Sequence, residues 1–579
     1  MIQDINIVIA GVAGDGVLFT GNVLAKVLKR RGWEVATSRD FPSNLRGEST
    51  SYEVRGVLGD CAGRGDVIDI LLAFDCQAIS RHIGHIAKGG IVLCDGEEAD
   101  LLSSAQREGK TFHRLLLRKM ARENFGKDIY KNVIALGSLS YILDLEPEIL
   151  KKVIEETFLE TKGREIVEAN FRAASLGFKK AQEILTPEEC HALGRDDDQG
   201  RLLLSGDEAI ALGALAAGCR FFAAYPICPA SEIWEMLVKY IGNFNGIVVQ
   251  TEDELAALNM ALGASYAGAR AMTSTSGPGA SLMMEAFSLA GMAEIPVVVA
   301  HVQRLGPATG IPTKTQQSDL TQWIFGSHGD FPRIVVSPGT VEECFDFTVE
   351  AFNLAEKYQC PVIVLTEEEM GQNLRSSRPP DLSGIKIDRG KLVPEEKVIE
   401  IRDFKRYEFT PDGISPRSRP GMRNGLHLVE GNEHDEHGYR SEDPENRIRM
   451  MNKRMSKLKN SGAYLIPSRV WGEEKSRLGL ICCGSTLGTI LEVMRRLDRK
   501  GTPAKLLQLR TLWPFPAGEV RAFLESCEDV FIVENNFSGQ LRLLIRSQVE
   551  PECRLHSVLN YSTQTFKPQE ILESMEKAL

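Results

Sequence analysis

The residues best suited to chemistry fall between positions 225 and 304. Thr251-Glu252-Asp253-Glu254 follows a short apolar run, Ile247–Gln250, and opens a helical stretch. Acidic residues in a first helical turn often serve only as caps and complements to the helix dipole. A carboxylate in the same place can instead exchange a proton with a ligand at the sheet edge. Tyr225-Pro226-Ile227-Cys228-Pro229 leaves another apolar run. Its two prolines freeze the loop, which reads equally as a rigid turn or as a substrate loop at the edge of an α/β sheet. Arg304 stands just past Val297–His301. An arginine there can grip a carboxylate with two parallel N–H bonds, or make an ordinary surface ion pair.

Three further patterns invite a chemical reading. Gly11-Val-Ala-Gly14-Asp15-Gly16 lies between a strand and a helix, where backbone N–H groups can hold an anion or simply turn the chain. The spacing is not the dinucleotide-binding one. With Asn44 downstream, Gly14-Asp15-Gly16 also resembles the thiamine-diphosphate signature, in which an Asp and an Asn hold Mg²⁺. His434-Asp-Glu-His437 has the wrong spacing for two ligands on one helix face, so no metal site is expected. Lys453–Lys459 carries four basic residues and reads as a solvated helix face.

The elements that must position these residues repeat a strand–helix pattern, which implies an α/β chain with mostly parallel sheets. In residues 1–185, strands are expected at Ile5–Ala10, Glu34–Thr37, Val67–Phe74, Gly90–Cys94 and Val133–Ala135. Residues 186–200 are polar and read as a linker. A second unit, 201–370, has strands at Arg220–Ala224, Ile247–Gln250, Arg270–Thr275, Val297–Val302 and Pro361–Leu365. Residues 371–475 are poor in apolar periodicity, and so long an irregular stretch is expected to wrap across other domains or a partner. A third unit, 476–579, has strands at Leu478–Cys483, Ala504–Leu509 and Val530–Val533.

Composition narrows the function classes. The 579 residues hold 68 Lys and Arg against 79 Asp and Glu, a net charge of −11, which argues against a nucleic-acid partner. Apolar residues are 43% and charged ones 25%, as in a globular chain. Apolar runs such as Ile295–Val302 fall far short of the ~20 residues that span a bilayer, so no membrane partner is expected. The start, Met1-Ile-Gln-Asp-Ile-Asn, lacks the basic region of a signal peptide, and a cytoplasmic location is expected. The 12 Cys include no Cys-x-x-Cys pair, hence no recognisable iron–sulfur or zinc cradle.

Together these segments resemble the 2-oxoacid:ferredoxin oxidoreductases. The likeness is to the α subunit of the two-subunit type, with a γ domain fused ahead of the α domains. It rests on Gly11–Val17, Phe41–Gly47, Tyr225–Pro229, Asp412–Pro416, Gly431–Gly438, Glu442–Asn446, Trp513–Pro516 and Glu534–Gln540. The acidic helix start followed by Thr275-Ser276-Gly277-Pro-Gly279 recurs in thiamine enzymes. The resemblance implies three α/β units: a γ domain, a thiamine pyrimidine-binding domain and a transketolase C-terminal-like domain, joined by the long extended segment. It implies a reaction of a 2-oxoacid, 2-oxoglutarate being favoured, with coenzyme A and ferredoxin to acyl-CoA, CO₂ and reduced ferredoxin. Glu254 would contact N1′ of thiamine diphosphate, preferred over Glu252 because Gly263 lies nine residues on. Ser276 and Gly277 would also bind the cofactor. Arg304 would bind the substrate carboxylate, and Tyr225 to Pro229 would line the 2-oxoacid pocket. The expected partner is a β subunit that shares the thiamine diphosphate and supplies Mg²⁺ and a [4Fe–4S] cluster, in a dimer of αβ heterodimers. Cys228 departs from the family's Thr, replacing a good hydrogen-bond donor with a weak one. Two alternatives stay open: a self-sufficient, non-oxidative thiamine enzyme using Asp15 and Asn44, and a non-catalytic assembly subunit.

Overall fold

A computed structural model describes residues 2–42, 48–59, 61, 63–96, 109–196, 200–459 and 461–579. Asn44, with the rest of 43–47, and residues 197–199 of the expected linker lie outside the described residues. The chain divides into two compact units. The first is Met1–Leu204 with Asn373–Pro379 and Lys567–Gln569; the second is Ser205–Gln372 with Pro380–Phe566 and Glu570–Leu579.

The first unit is built on an eight-stranded sheet. Its order is Thr111–Arg114, Ile86–Cys94, Ile68–Ala73, Asp4–Val12, Ser49–Val57, Glu34–Asp40, Arg375–Ser377, Leu202–Leu204. The first four strands are parallel, as strand–helix alternation requires. The other half is antiparallel: Glu34–Asp40 and Ser49–Val57 are separated by only residues 41–48, too few for the crossover that a parallel pair needs. Val133–Ala135, expected as a strand, lies inside the helix Lys131–Ile142. That helix is buried on nearly every face, so its apolar run shows no helical stripe, and a short continuous run does not distinguish the two elements. It crosses helix Arg164–Ile184 at two glycines. A Cβ on Gly137 would stand 1.9 Å from the Ala174 carbonyl oxygen, and one on Gly177 would stand 1.8 Å from that of Ile134.

The second unit holds two sheets. The larger runs Thr511–Trp513, Ile334–Val336, Pro361–Glu367, Val297–Gln303, Arg270–Thr275, Cys219–Ala224, Ile247–Gln250. All are parallel except Thr511–Trp513. Val297–Gln303 and Pro361–Glu367 are buried at every position, as parallel strands covered on both faces must be. The smaller sheet runs Arg469–Gly472, Lys505–Gln508, Leu478–Cys482, Asp529–Glu534, Arg554–Leu559. The two share one apolar core, in which Leu258, Phe287 and Val299 pack with Ile481, Leu507 and Leu544.

Between 380 and 459 the only helices are Glu395–Val398 and Pro444–Ser456. Buried ion pairs hold this segment. Lys453 Nζ and Lys457 Nζ stand 2.7 and 2.6 Å from the two oxygens of Glu294, and none of the three side chains is more than 2% exposed. Arg406 donates to Gln359 Oε1 at 2.9 Å and to the Glu294 carbonyl at 2.7 Å. Arg389 and Arg417 both pair with Glu356, and Arg454 pairs with Glu433 at 2.6 Å. The reading of Lys453–Lys459 as a solvated face is therefore corrected: Lys453, Arg454 and Lys457 are buried, because each meets a carboxylate that desolvation alone would make costly. His434 is buried and donates from Nδ1 to the Asn432 carbonyl, while His437 pairs with Asp403. Among the described residues no group of three His, Cys, Asp or Glu side chains is arranged to hold a metal ion. No helix among them is long and apolar enough to cross a membrane.

Candidate active site

Four strands of the larger sheet, Val297–Gln303, Arg270–Thr275, Cys219–Ala224 and Ile247–Gln250, lie side by side and parallel. Their carboxyl ends therefore bring Arg304, Ser276, Tyr225–Pro229 and Thr251–Glu254 to one edge, the usual place for a ligand in such a sheet. Asp253 caps the helix Glu254–Tyr266, its Oδ1 accepting from Ala256 N at 2.6 Å. The cap leaves Glu254 on the first helical position, 5% exposed, while Glu252 points to solvent. Burial raises the Glu254 carboxyl above the usual carboxylate range; Asp253 adds to this and Arg304 opposes it. Gly279 closes over the same group. A Cβ there would come within 2.4 Å of Glu254 Oε1 and 2.2 Å of Thr275 Oγ1.

The Tyr225–Pro229 loop is tied to Arg304. Arg304 Nη1 donates to the Cys228 carbonyl at 2.7 Å and Nη2 to the Thr309 carbonyl at 3.0 Å, leaving a buried Nε–H without a partner among the described residues. Cys228 donates weakly to the Pro312 carbonyl at 3.4 Å, and burial pushes its thiol up to about 11. It is a neutral thiol at pH 7 and no nucleophile. Tyr225 is 41% exposed, Pro226 and Ile227 are half-buried, and Pro229 is buried. Ser276 is fully buried, and its Oγ has no hydrogen-bond partner among the described residues. Gly277 begins the sixteen-residue helix Gly277–Met292.

Two features at this edge carried no sequence signal. His301, read only as part of an apolar strand, is fully buried, and its Nε2 meets Asp319 Oδ2 at 2.8 Å. Asp319 in turn lies against Gly277, where a Cβ would stand 3.2 Å from its Oδ2. Gln317 joins the two sheets: its Nε2 donates to Glu367 Oε1 at 3.0 Å and to the Cys483 carbonyl at 2.9 Å, and its main chain pairs with Asn535. Glu367 also accepts from Ser485 N at 2.5 Å, yet its Oε2 has no partner. Burial pushes its carboxyl up to about 7. A lone His and Asp eighteen residues apart, and a glutamine whose partners lie 50 to 218 residues away, leave no local pattern.

In the first unit, Asp15 is engaged by cations of its own chain, Lys131 at 2.5 Å and Arg118 at 3.0 Å. Its carboxylate is neutralised there, which speaks against Asp15 as a Mg²⁺ ligand.

Three family models match the chain. They are the pyruvate ferredoxin/flavodoxin oxidoreductase over residues 6–180, the thiamine-diphosphate-binding domain of pyruvate flavodoxin/ferredoxin oxidoreductase over 212–453, and pyruvate:ferredoxin oxidoreductase core domain II over 477–571. The α subunit of 2-oxoacid:ferredoxin oxidoreductase 2 from Aeropyrum pernix is 34% identical, over 95% of this chain and 94% of that one. The 2-oxoglutarate synthase subunit KorA from Methanothermobacter thermautotrophicus is 36% identical, over 65% of this chain and 98% of its own. The solved 2-oxoglutarate:ferredoxin oxidoreductase from Magnetococcus marinus, with 2-oxoglutarate, coenzyme A and succinyl-CoA bound, matches all of both chains at 33% identity and a TM-score of 0.92. On these matches and the edge geometry, the chain belongs to the 2-oxoacid:ferredoxin oxidoreductase family, as an α-type subunit with a thiamine-diphosphate-binding domain.

Proposed function

We propose that the chain, joined to a β subunit, converts 2-oxoglutarate, coenzyme A and oxidised ferredoxin to succinyl-CoA, CO₂ and reduced ferredoxin. The observation that carries the reading is the buried Glu254 at a sheet edge that also holds Arg304. The choice of 2-oxoglutarate and coenzyme A rests on the Magnetococcus enzyme and on the KorA relative.

The residues at the edge fit the aminopyrimidine side of thiamine diphosphate: a carboxyl raised by burial, a glycine with no room for a side chain beside it, and a buried hydroxyl without a partner. Thiamine diphosphate, when bound, supplies a nucleophilic carbon and an electron sink for the decarboxylation. Glu254 would face N1′ and exchange a proton with it, and burial raises its proton affinity above the usual carboxylate range. Ser276 and Gly277 would hold the cofactor, and Glu254 beneath Gly279 is 5% exposed. Arg304 fixes the loop through Cys228 and offers its Nε–H to the substrate carboxylate. Tyr225 to Pro229 line the 2-oxoacid pocket. The β subunit carries Mg²⁺ and a [4Fe–4S] cluster, and two αβ pairs form the holoenzyme.

The test is viologen reduction by the complex of this chain with its β subunit, comparing 2-oxoglutarate, pyruvate, branched and aryl 2-oxoacids. The expected result is the highest kcat/KM with 2-oxoglutarate and strict dependence on coenzyme A. A higher value with pyruvate or a branched 2-oxoacid overturns the substrate; reaction without the β subunit overturns the assembly.

A further inference from the structure

All twelve cysteines are free thiols. Two of them, Cys76 and Cys94, lie in the first unit, far along the chain from Glu254, and serve no role in the reaction above. The parallel pairing of Ile68–Ala73 with Ile86–Cys94 sets Ala73 opposite Cys94. Phe74 and Asp75 then turn the chain into the helix Cys76–His82, so Cys76 comes back beside the strand end. The Cys76 thiol lies close enough to raise the proton affinity of Cys94. Both sulfurs also crowd the backbone of Gly96: a Cβ there would lie 2.5 Å from Cys76 Sγ and 3.3 Å from Cys94 Sγ. Cys76 is half-buried and Cys94 is 3% exposed. One thiol is open to a small reagent, and the other waits next to it. Burial, then the Cys76 thiol and the neighbouring Asp95 and Asp75, raise the proton affinity of Cys94, and its deeper burial leaves Cys76 to meet a reagent first.

We propose that Cys76 and Cys94 form a two-electron redox site, closing to an intramolecular disulfide under a hydroperoxide. Cys76 attacks the peroxide oxygen; the O–O bond breaks, Cys76 becomes a sulfenic acid and the peroxide leaves as water or an alcohol. Cys94 then attacks the Cys76 sulfur, the S–O bond breaks, and the Cys94 proton leaves with the hydroxyl as water. Two thiols have lost two electrons, and one peroxide has gained them. Attack of an external dithiol on the S–S bond reverses the step.

The test uses the full-length chain, fully reduced, exposed to hydrogen peroxide, alkylated and mapped by peptide mass spectrometry. The expected result is the loss of two alkylatable thiols per chain, recovered as one Cys76–Cys94 cross-linked peptide and restored by dithiothreitol. Cys94→Ser should leave a sulfenic acid at Cys76 that dimedone traps, and Cys76→Ser should abolish the cross-link. The proposal is overturned if excess peroxide leaves both thiols alkylatable. It is also overturned if Cys76 proceeds to sulfinic acid while Cys94 stays free, or if the cross-link joins another pair. Should either variant fail to fold, the map of the unsubstituted chain decides alone.

Discussion

Glu254 and Glu294 are both buried glutamates in the second unit, and their carboxyl groups are driven in opposite directions. Glu294 sits between Lys453 and Lys457, within 2.7 Å of each, and stays ionised well below the usual carboxylate range. Glu254 has no ion pair among the described residues, only the longer reach of Arg304, and burial raises it. Burial is common to both, so the neighbours set the sign. A carboxylate supplied with two cations holds the chain together and has nothing left to exchange. One buried without them keeps its proton at hand and is suited to pass it on. The same contrast separates the two arginines, Arg406 with its acceptors Gln359 and Glu294, and Arg304 with a donor to spare.

Substitutions can break that contrast on either side. The largest expected effect is Glu254→Gln in the reconstituted complex, which should lower kcat for the 2-oxoacid by about 10²–10⁴ and leave the unfolding midpoint unchanged. Glu252→Gln, at an exposed position, should stay near wild type; an equal loss there would erase the distinction. Glu294→Gln should do the reverse. Lys453 and Lys457 are then buried without a counter-charge, and denaturant titration should show a loss of about 3–5 kcal/mol.

Glu367 tests the rule at a third site, where a buried carboxyl receives hydrogen bonds but no cation. Burial raises its proton affinity from the ordinary 4.5 to about 7 in the folded chain. The stability it contributes is therefore complete below about 4.5 and lost as pH rises through about 7, a swing of about 3 kcal/mol. Glu367→Gln should flatten that part of the stability–pH curve, and an unchanged curve would assign the slope elsewhere. Among the substitutions expected to do damage, Arg304→Lys does the least. A lysine cannot hold both the Cys228 and Thr309 carbonyls and serve a carboxylate, so kcat/KM should fall about tenfold, mostly through KM.

Much of the edge was legible because short apolar runs bounded by turn residues mark parallel strands. Once Cys219–Ala224, Ile247–Gln250, Arg270–Thr275 and Val297–Gln303 are recognised, the sheet rule places Tyr225, Glu254, Ser276 and Arg304 together. Burial then separates Glu254 from Glu252, which spacing alone left to a distant glycine. What escaped the sequence depends on partners remote in the chain. Lys453 and Lys457 look like a wet face until Glu294, 159 residues earlier for Lys453, is brought beneath them. Val133–Ala135 looked like a strand because a helix packed on all sides has no polar face to betray its period. His301 and Gln317 acquire meaning only from Asp319 and Glu367.

Thr511–Trp513 follows Lys505–Gln508 of the smaller sheet after two residues. This strand belongs in sequence to the final α/β layer, but it hydrogen-bonds antiparallel to Ile334–Val336 at the rim of the other sheet. From there inter-strand hydrogen bonds run laterally through Pro361–Glu367 to Val297–Gln303, the strand that ends at Arg304. The final layer is thus stitched, like a hem, to the fabric that carries the guanidinium. That layer cannot pull away without breaking the Thr511–Trp513 ladder. Cutting the chain ahead of residue 511 would unravel an edge as well as remove a tail.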